Sequence, residues 1–182
     1  MQQLERQTET PRVEHRGRMI RADRQMSDEE TREYLRQHCA AHVGTSDASG
    51  WPYVVPLMYV YEDGDLLYLH TGPHQGHFLA NVRENPKICI QLNETGPWQR
   101  GAPTAFDSSL VYRSVIVFGK VRIMQDPGLR EKKMWFFDRL LERLSDHNSA
   151  YEKPYPREAL DRIILYEVNL EIVTGKRNVG LH

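Results

Sequence analysis

The stretch "WPYVVPLMYVYEDGDLLYLHTG", residues 51–72, decides the fold. Two apolar runs rich in Val, Tyr and Leu flank Glu62-Asp63-Gly64-Asp65, a turn composition that predicts a tight hairpin. Upstream, "AHVGTSD" (41–47) is separated from the first run by Asp47-Ala48-Ser49-Gly50, so three strands joined by two hairpins form an antiparallel meander. In "YVVPLMYVY" both side-chain parities are apolar. A strand buried on both faces needs a second layer to cover it.

Working outward, "HQGHFLANVREN" (74–85) reads as a short helix that stops before Pro86, because proline disfavours helical geometry in the residue before it. "KICIQLNE" (87–94) is the next strand, followed by a Gly-, Pro- and Ser-rich loop over 94–109 and the long strand "LVYRSVIVFGKVRIMQD". In that strand Leu110, Tyr112, Ile116 and Phe118 face opposite to Val111, Val115, Val117, Val121 and Ile123. "DPGLREKKMWFFDRLLERL" is helical, with Met134, Phe137, Leu140, Leu141 and Leu144 on one face. The last strand, "RIILYEVNLEIVTGK", alternates Ile164, Tyr166, Val168, Leu170 and Ile172 against Glu167, Asn169 and Glu171. Nearer the start, Ser27 and Glu30 fit a capping box opening the helix "DEETREYLRQH", with Tyr34 and Leu35 facing inward. These elements predict a small antiparallel barrel whose interior takes one apolar face and whose outer patch meets a helix, another subunit or a flat ligand.

At 182 residues the chain is expected to be one folded domain, 26–182, preceded by a polar arm over 1–25 that carries six arginines and four acids and is flexible or orders against a partner subunit. A composition of 40% hydrophobic and 27% charged residues with net charge −1 offers no general electrostatic case for nucleic acid or anionic membrane. Cys39 and Cys89 are too few and too far apart for a disulfide framework or a Cys-rich zinc site, and are read as reduced and buried. With no apolar run long enough to span a membrane and no signal-peptide hydrophobic region, the cytoplasm is the expected compartment.

Three histidines, His70, His74 and His77, crowd the end of the second hairpin. His74 and His77 at i, i+3 could share a helix face with His70 nearby, but no HExxH or carboxylate-bearing triad accompanies them, and no metal is assigned. No G-x-S-x-G elbow marks a nucleophile. Phosphate binding has more support. A Thr-Gly-Pro-x-x-Gly turn feeding a helix start offers the Thr71 hydroxyl, backbone N–H groups and His77 near a positive helix terminus, although the same turn serves ordinary strand-to-helix connections. No dinucleotide fingerprint occurs, so a nicotinamide nucleotide would be a transient co-substrate.

Taken in order, "GWPYVVPLMYVYEDGDLLYLHTG…GHFLANVRENP", "YRSVIVFGKVRI" and the terminal "TGKRN" resemble the pyridoxamine 5′-phosphate oxidase-like FMN-binding split barrels, and within them the Nim-type 5-nitroimidazole reductases. The resemblance covers roughly residues 26–178. It implies a mainly β, α+β fold: a six-stranded antiparallel Greek-key split barrel with flanking helices, homodimeric, with FMN at the subunit interface. By matching motif it implies cofactor contacts from Val55, Pro56, Leu57, Met58, His70, Thr71, His77, Asn81, Ser114 and Lys176, with His70 also the residue assigned to reactivity. Phe78 departs from the Gly-His-Lys of many relatives, so the phosphate-binding cation would come from Lys176, Arg113, Lys87 or an arginine of the arm. The implied activity is an FMN-dependent oxidoreductase reducing a small electron-poor acceptor such as a nitroimidazole, supplied by a transient donor such as NAD(P)H. The alternative is a non-catalytic flavin- or haem-binding split barrel. The carboxy-terminal Arg-x-His substrate motif of pyridoxamine phosphate oxidation itself is not found in this chain.

Overall fold

A computed structural model describes residues 15–74, 76–101, 103–125, 128–144 and 155–180. The six strands are β1 (Ala40–Ser46), β2 (Pro52–Tyr61), β3 (Leu66–Thr71), β4 (Lys87–Gln99), β5 (Ser109–Ile123) and β6 (Ile164–Asn178). All pair antiparallel in a closed ring ordered β1-β2-β3-β6-β5-β4. β4 returns to lie beside β1 after the meander, the Greek-key order, and the ring closes through the short pairing of His42–Gly44 with Cys89–Gln91. Among the described residues four helices lie around it: α1 (Asp28–Gln37), α2 (His77–Glu84), α3 (Leu129–Leu144) and α4 (Arg157–Asp161). Among the described residues no helix is long and apolar enough to cross a membrane.

The local chemistry explains the meander. Asp47 Oδ1 accepts from the N–H groups of Ser49 and Trp51, a side-chain turn closed by Gly50 at φ +88°. In the second hairpin Gly64 sits at φ +71°, and its carbonyl accepts from the Tyr61 hydroxyl at 3.0 Å. Arg32 of α1 also donates to Tyr61 and to the Gly64 carbonyl, so the first helix clamps the turn. The Ser27–Glu30 capping box that opens α1 is present, and Tyr34 and Leu35 are buried as expected.

Inward-facing residues of all six strands, among them Val43, Tyr59, Tyr61, Leu69, Ile90, Val117, Tyr166 and Val168, fill the barrel. The outer patch is only partly covered. Val60, Met124 and Leu165 lie beneath Phe136 and Leu140 of α3, whereas Val54 remains 61% exposed and Ile116 37%.

Several sequence expectations shift. β4 runs on through Gln99 instead of ending at 94, passing Gly96-Pro97 by a register shift between Thr95 and Trp98. α2 starts at His77, not at 74, because Gly76 is extended; its end before Pro86 is as expected, with Asn85 extended. The buried face of α3 is Lys133, Phe136 and Leu140, while Leu144 is exposed. Lys133 can lie inside because its Nζ donates to the Leu160 carbonyl at 2.8 Å, which satisfies the ammonium and disguises the face in an apolar count. The five-residue α4 was not expected. Alternation in β6 breaks at Glu171, which is skipped in the pairing of Phe118 with Ile172 and Gly119 with Leu170. Ile172 therefore shares the outer face with Phe118, and Val173 packs on the core. Cys39 and Cys89 are free and half-buried.

Of the arm, residues 1–14 lie outside the described residues. Residues 22–24 form a single 3₁₀ turn, Gln25 bridges Lys176, and the Met26 N–H donates to the Gly175 carbonyl at 2.9 Å. Gly175 has no room for a Cβ, which would run into Thr31 Oγ1 and Met26. Gly175→Ala is expected to prise α1 from the barrel and lower stability by about 1–3 kcal/mol; urea unfolding checks this, and an unchanged midpoint would refute that packing.

Candidate functional site

β2, β3 and α2 bring one set of the motif residues together at the end of the barrel. His77, the first residue of α2, meets the Tyr53 ring edge-on at 5.2 Å. Asn81, one turn on, is buried and donates through Nδ2 to Thr45 Oγ1 at 3.0 Å. The Thr71 hydroxyl shares a hydrogen bond with the Tyr166 phenol at 2.8 Å, and Phe78 packs edge-on against the same ring at 5.2 Å. Val55 and Leu57 face the core from β2, Pro56 is exposed on the outer face, and Met58 packs toward α3. The N-terminus of α2 has no side-chain cap, because Gly76 has none to offer. Its first amides are thus free for an anion.

His70 is placed differently from its neighbour Thr71. Its ring lies on the outer face of β3 beneath α3, 5.2 Å from both Phe136 and Phe137. Nδ1 is buried and has no hydrogen-bond partner among the described residues. Burial holds the imidazole pKa below its ordinary value, so the ring is neutral at neutral pH. His74 is exposed.

Ser114 and Lys176 form a second group. They pair across β5 and β6 and both face outward. Lys176 Nζ stands 5.9 Å from the Tyr112 ring, and Arg24 donates to the Tyr112 hydroxyl at 3.5 Å. Burial raises the Tyr112 pKa, but the hydrogen bonds from Arg24 and Lys176 outweigh it and the net shift is downward. Within one chain the structure does not unite this group with His77 and Thr71. Thr71 pairs with Ile164 at the start of β6, and Lys176 stands twelve residues farther along (176 − 164). That is about 40 Å of strand at ~3.3 Å per residue.

Sequence reading missed Tyr53, Thr45, Tyr166, Phe136 and Phe137, the partners of the motif residues. Each is an ordinary strand or helix residue whose role exists only after pairing, so no local signal marked it.

A family model described as pyridoxamine 5′-phosphate oxidase matches residues 27–177. Among solved structures, the chain is similar to a candidate 5-nitroimidazole antibiotic resistance protein from Bacteroides thetaiotaomicron, at 27% identity and a TM-score of 0.66, covering 84% of this chain and 86% of that one. It also shares its fold with the flavocytochrome Anf3 of Azotobacter vinelandii, at 20% identity and a TM-score of 0.74, covering 91% and 75%. A FAD- and heme-binding protein of Mycobacterium smegmatis is likewise similar in fold, at 21% identity and a TM-score of 0.70, covering 86% and 74%. No curated protein sequence matches the chain.

The neutral, buried His70 carries a pH signature. Its folded pKa lies below its unfolded one, so its contribution to stability is fully present above the unfolded value, near ~6.5, and is lost as pH falls below that. Urea midpoints of the wild type should fall between pH 7.5 and 5.5 by more than those of His70→Phe. Equal falls in the two proteins would show that His70 does not titrate against the fold.

Proposed function

The chain belongs to the pyridoxamine 5′-phosphate oxidase family, and from that premise we propose that it is an FMN-dependent reductase that passes electrons to a small electron-poor acceptor. The working unit is a homodimer with the flavin in the seam between two copies. The observation that carries the reading is the separation of the two donor groups along β6, because both serve one ligand only if one copy offers Thr71, His77 and the α2 amides while the other offers Ser114 and Lys176. The exposed outer residues Val54, Pro56 and Ile116 supply apolar area for that contact. Similarity to a candidate 5-nitroimidazole resistance protein supports a nitroimidazole or another nitroaromatic as acceptor.

The residues present fit such a cofactor: an uncapped helix terminus, a hydroxyl, an imidazole and a lysine for its phosphate side, and an orphaned buried nitrogen on His70. FMN, when bound, supplies the hydride or electron-pair chemistry. The chain binds and orients. The backbone of Val55–Met58 would line the ring edge, while Asn81 holds α2 to β1 and α3 covers His70. His70, kept neutral by burial beneath α3, is the residue we assign to supply a hydrogen bond or proton to the charge that develops on reduction. Reducing equivalents come from a transient donor such as NAD(P)H.

The purified protein is expected to show a flavin spectrum that dithionite bleaches, to migrate as a dimer, and to reduce a nitroimidazole when a donor is supplied. His70→Ala should lower turnover by about 10²-fold with most flavin retained, and Val54→Glu should release both partner and flavin. Stoichiometric flavin without turnover, or a Soret band in its place, would replace the reductase by a flavin- or haem-binding protein. Failure to bind added FMN would end the reading.

A further inference from the structure

Residues 15–21 cross the outer face of β5 and β6 above Ser114 and Lys176 and enclose a cavity of about 310 Å³. Gly17 makes the crossing possible. It has φ +75°, and a Cβ there would meet Ile172 Cγ2 at 2.5 Å. The cavity floor is apolar, with Ile116 and Phe118, and its rim is cationic, with Arg18, Arg21 and Lys176; no acidic residue lines it among the described residues.

These cations are not equivalent. Arg21 is engaged by Asp23 through two hydrogen bonds of 2.6 and 2.8 Å. Just outside the cavity, Arg24 is held by Tyr112 and Arg177 by Glu30. Arg18 and Lys176 have no carboxylate partner among the described residues, although Lys176, like Arg24, is hydrogen-bonded to Tyr112. Two unneutralised cations and a hydroxyl over an apolar floor suit an amphipathic anion. Meanwhile the position that many relatives fill with lysine is closed: Phe78 is 5% exposed and packs inside the barrel against Tyr166.

We infer that residues 15–21 are a strap that supplies the phosphate-binding cation of the flavin site, with Arg18 and Lys176 acting across the seam in place of the lysine that Phe78 displaces. The inference rests on the flavin reading above. It makes the strap part of the cofactor site and makes the phosphate of FMN, more than its ring, the group that the strap recognises.

Fluorescence titration of the full chain with FMN and with riboflavin separates phosphate recognition from ring recognition. Wild type should bind FMN more tightly than riboflavin. Arg18→Ala and Lys176→Ala should each weaken FMN about 10-fold or more and leave riboflavin within about twofold. Gly17→Ala, which removes no charge but lifts the strap, should show the same selective loss. Equal weakening of both ligands, or no change in either, would overturn the strap while leaving the flavin reading standing. A wild type that binds neither ligand would remove the flavin reading and the strap's role with it.

Discussion

The arrangement of the candidate site depends on one irregularity, the β-bulge that leaves Glu171 unpaired between Leu170 and Ile172. A bulge adds a residue to one strand and so reverses which face every later residue takes. Without it Lys176 would point into the barrel and Gly175 outward. With it Lys176 stands beside Ser114 on the surface, Ile172 becomes the seat for Gly17, and Gly175 turns its missing side chain toward Met26 and Thr31. Gly119 sits opposite this irregularity, where a Cβ would run into the Asn169 carbonyl. Glu171, swung outward, pairs with Lys120 at 2.8 Å.

Much of the fold was legible because hairpin chemistry is local. Asp47 and Gly50, and Asp63 and Gly64, specify their turns through their own backbone and nearest neighbours. The doubly apolar character of β2 and β5 called for cover on both sides, and α3 supplies it over Val60, whereas Val54 of β2 and Ile116 of β5 remain exposed. The parts that were not legible involve compensation at a distance. The Lys133 side chain is buried because a carbonyl at Leu160, far along the chain, accepts its hydrogen bond, so an apolar count found Leu140 and Phe137 on α3 but missed Lys133 and Phe136. Gly96-Pro97 reads as a loop, yet the register shift there lets β4 continue to Gln99. Clean alternation in β6 concealed the bulge, because Ile172 is apolar on either face.

The site follows the same division. The run from His70 to Asn81 was visible as a cluster of polar groups following an apolar strand, and the structure places Thr71, His77 and Asn81 on one end of the barrel. Their surroundings were invisible. Tyr166 reaches Thr71 across 95 residues of sequence and the Asn81–Thr45 bond spans 36; such partners exist only once β6 has paired with β3 and α2 has docked on β1.

The outer face then divides the labour. Where α3 lies on it, Phe136 and Phe137 dry the surroundings of His70, and desolvation keeps the imidazole neutral with one nitrogen unsatisfied. An unsatisfied buried nitrogen carries a standing cost in stability, so packing alone does not account for a histidine at that position when phenylalanine would fill the same aromatic slot. Where α3 does not reach, Val54 and Ile116 stay open to water and Ser114 and Lys176 line the rim of a cavity. One stretch of the barrel surface thus offers a dry, neutral imidazole and the other an apolar floor with cations. The flavin we propose, with its redox-active ring and charged tail, would use both, and in that reading a second copy of the chain is the means by which both would face it.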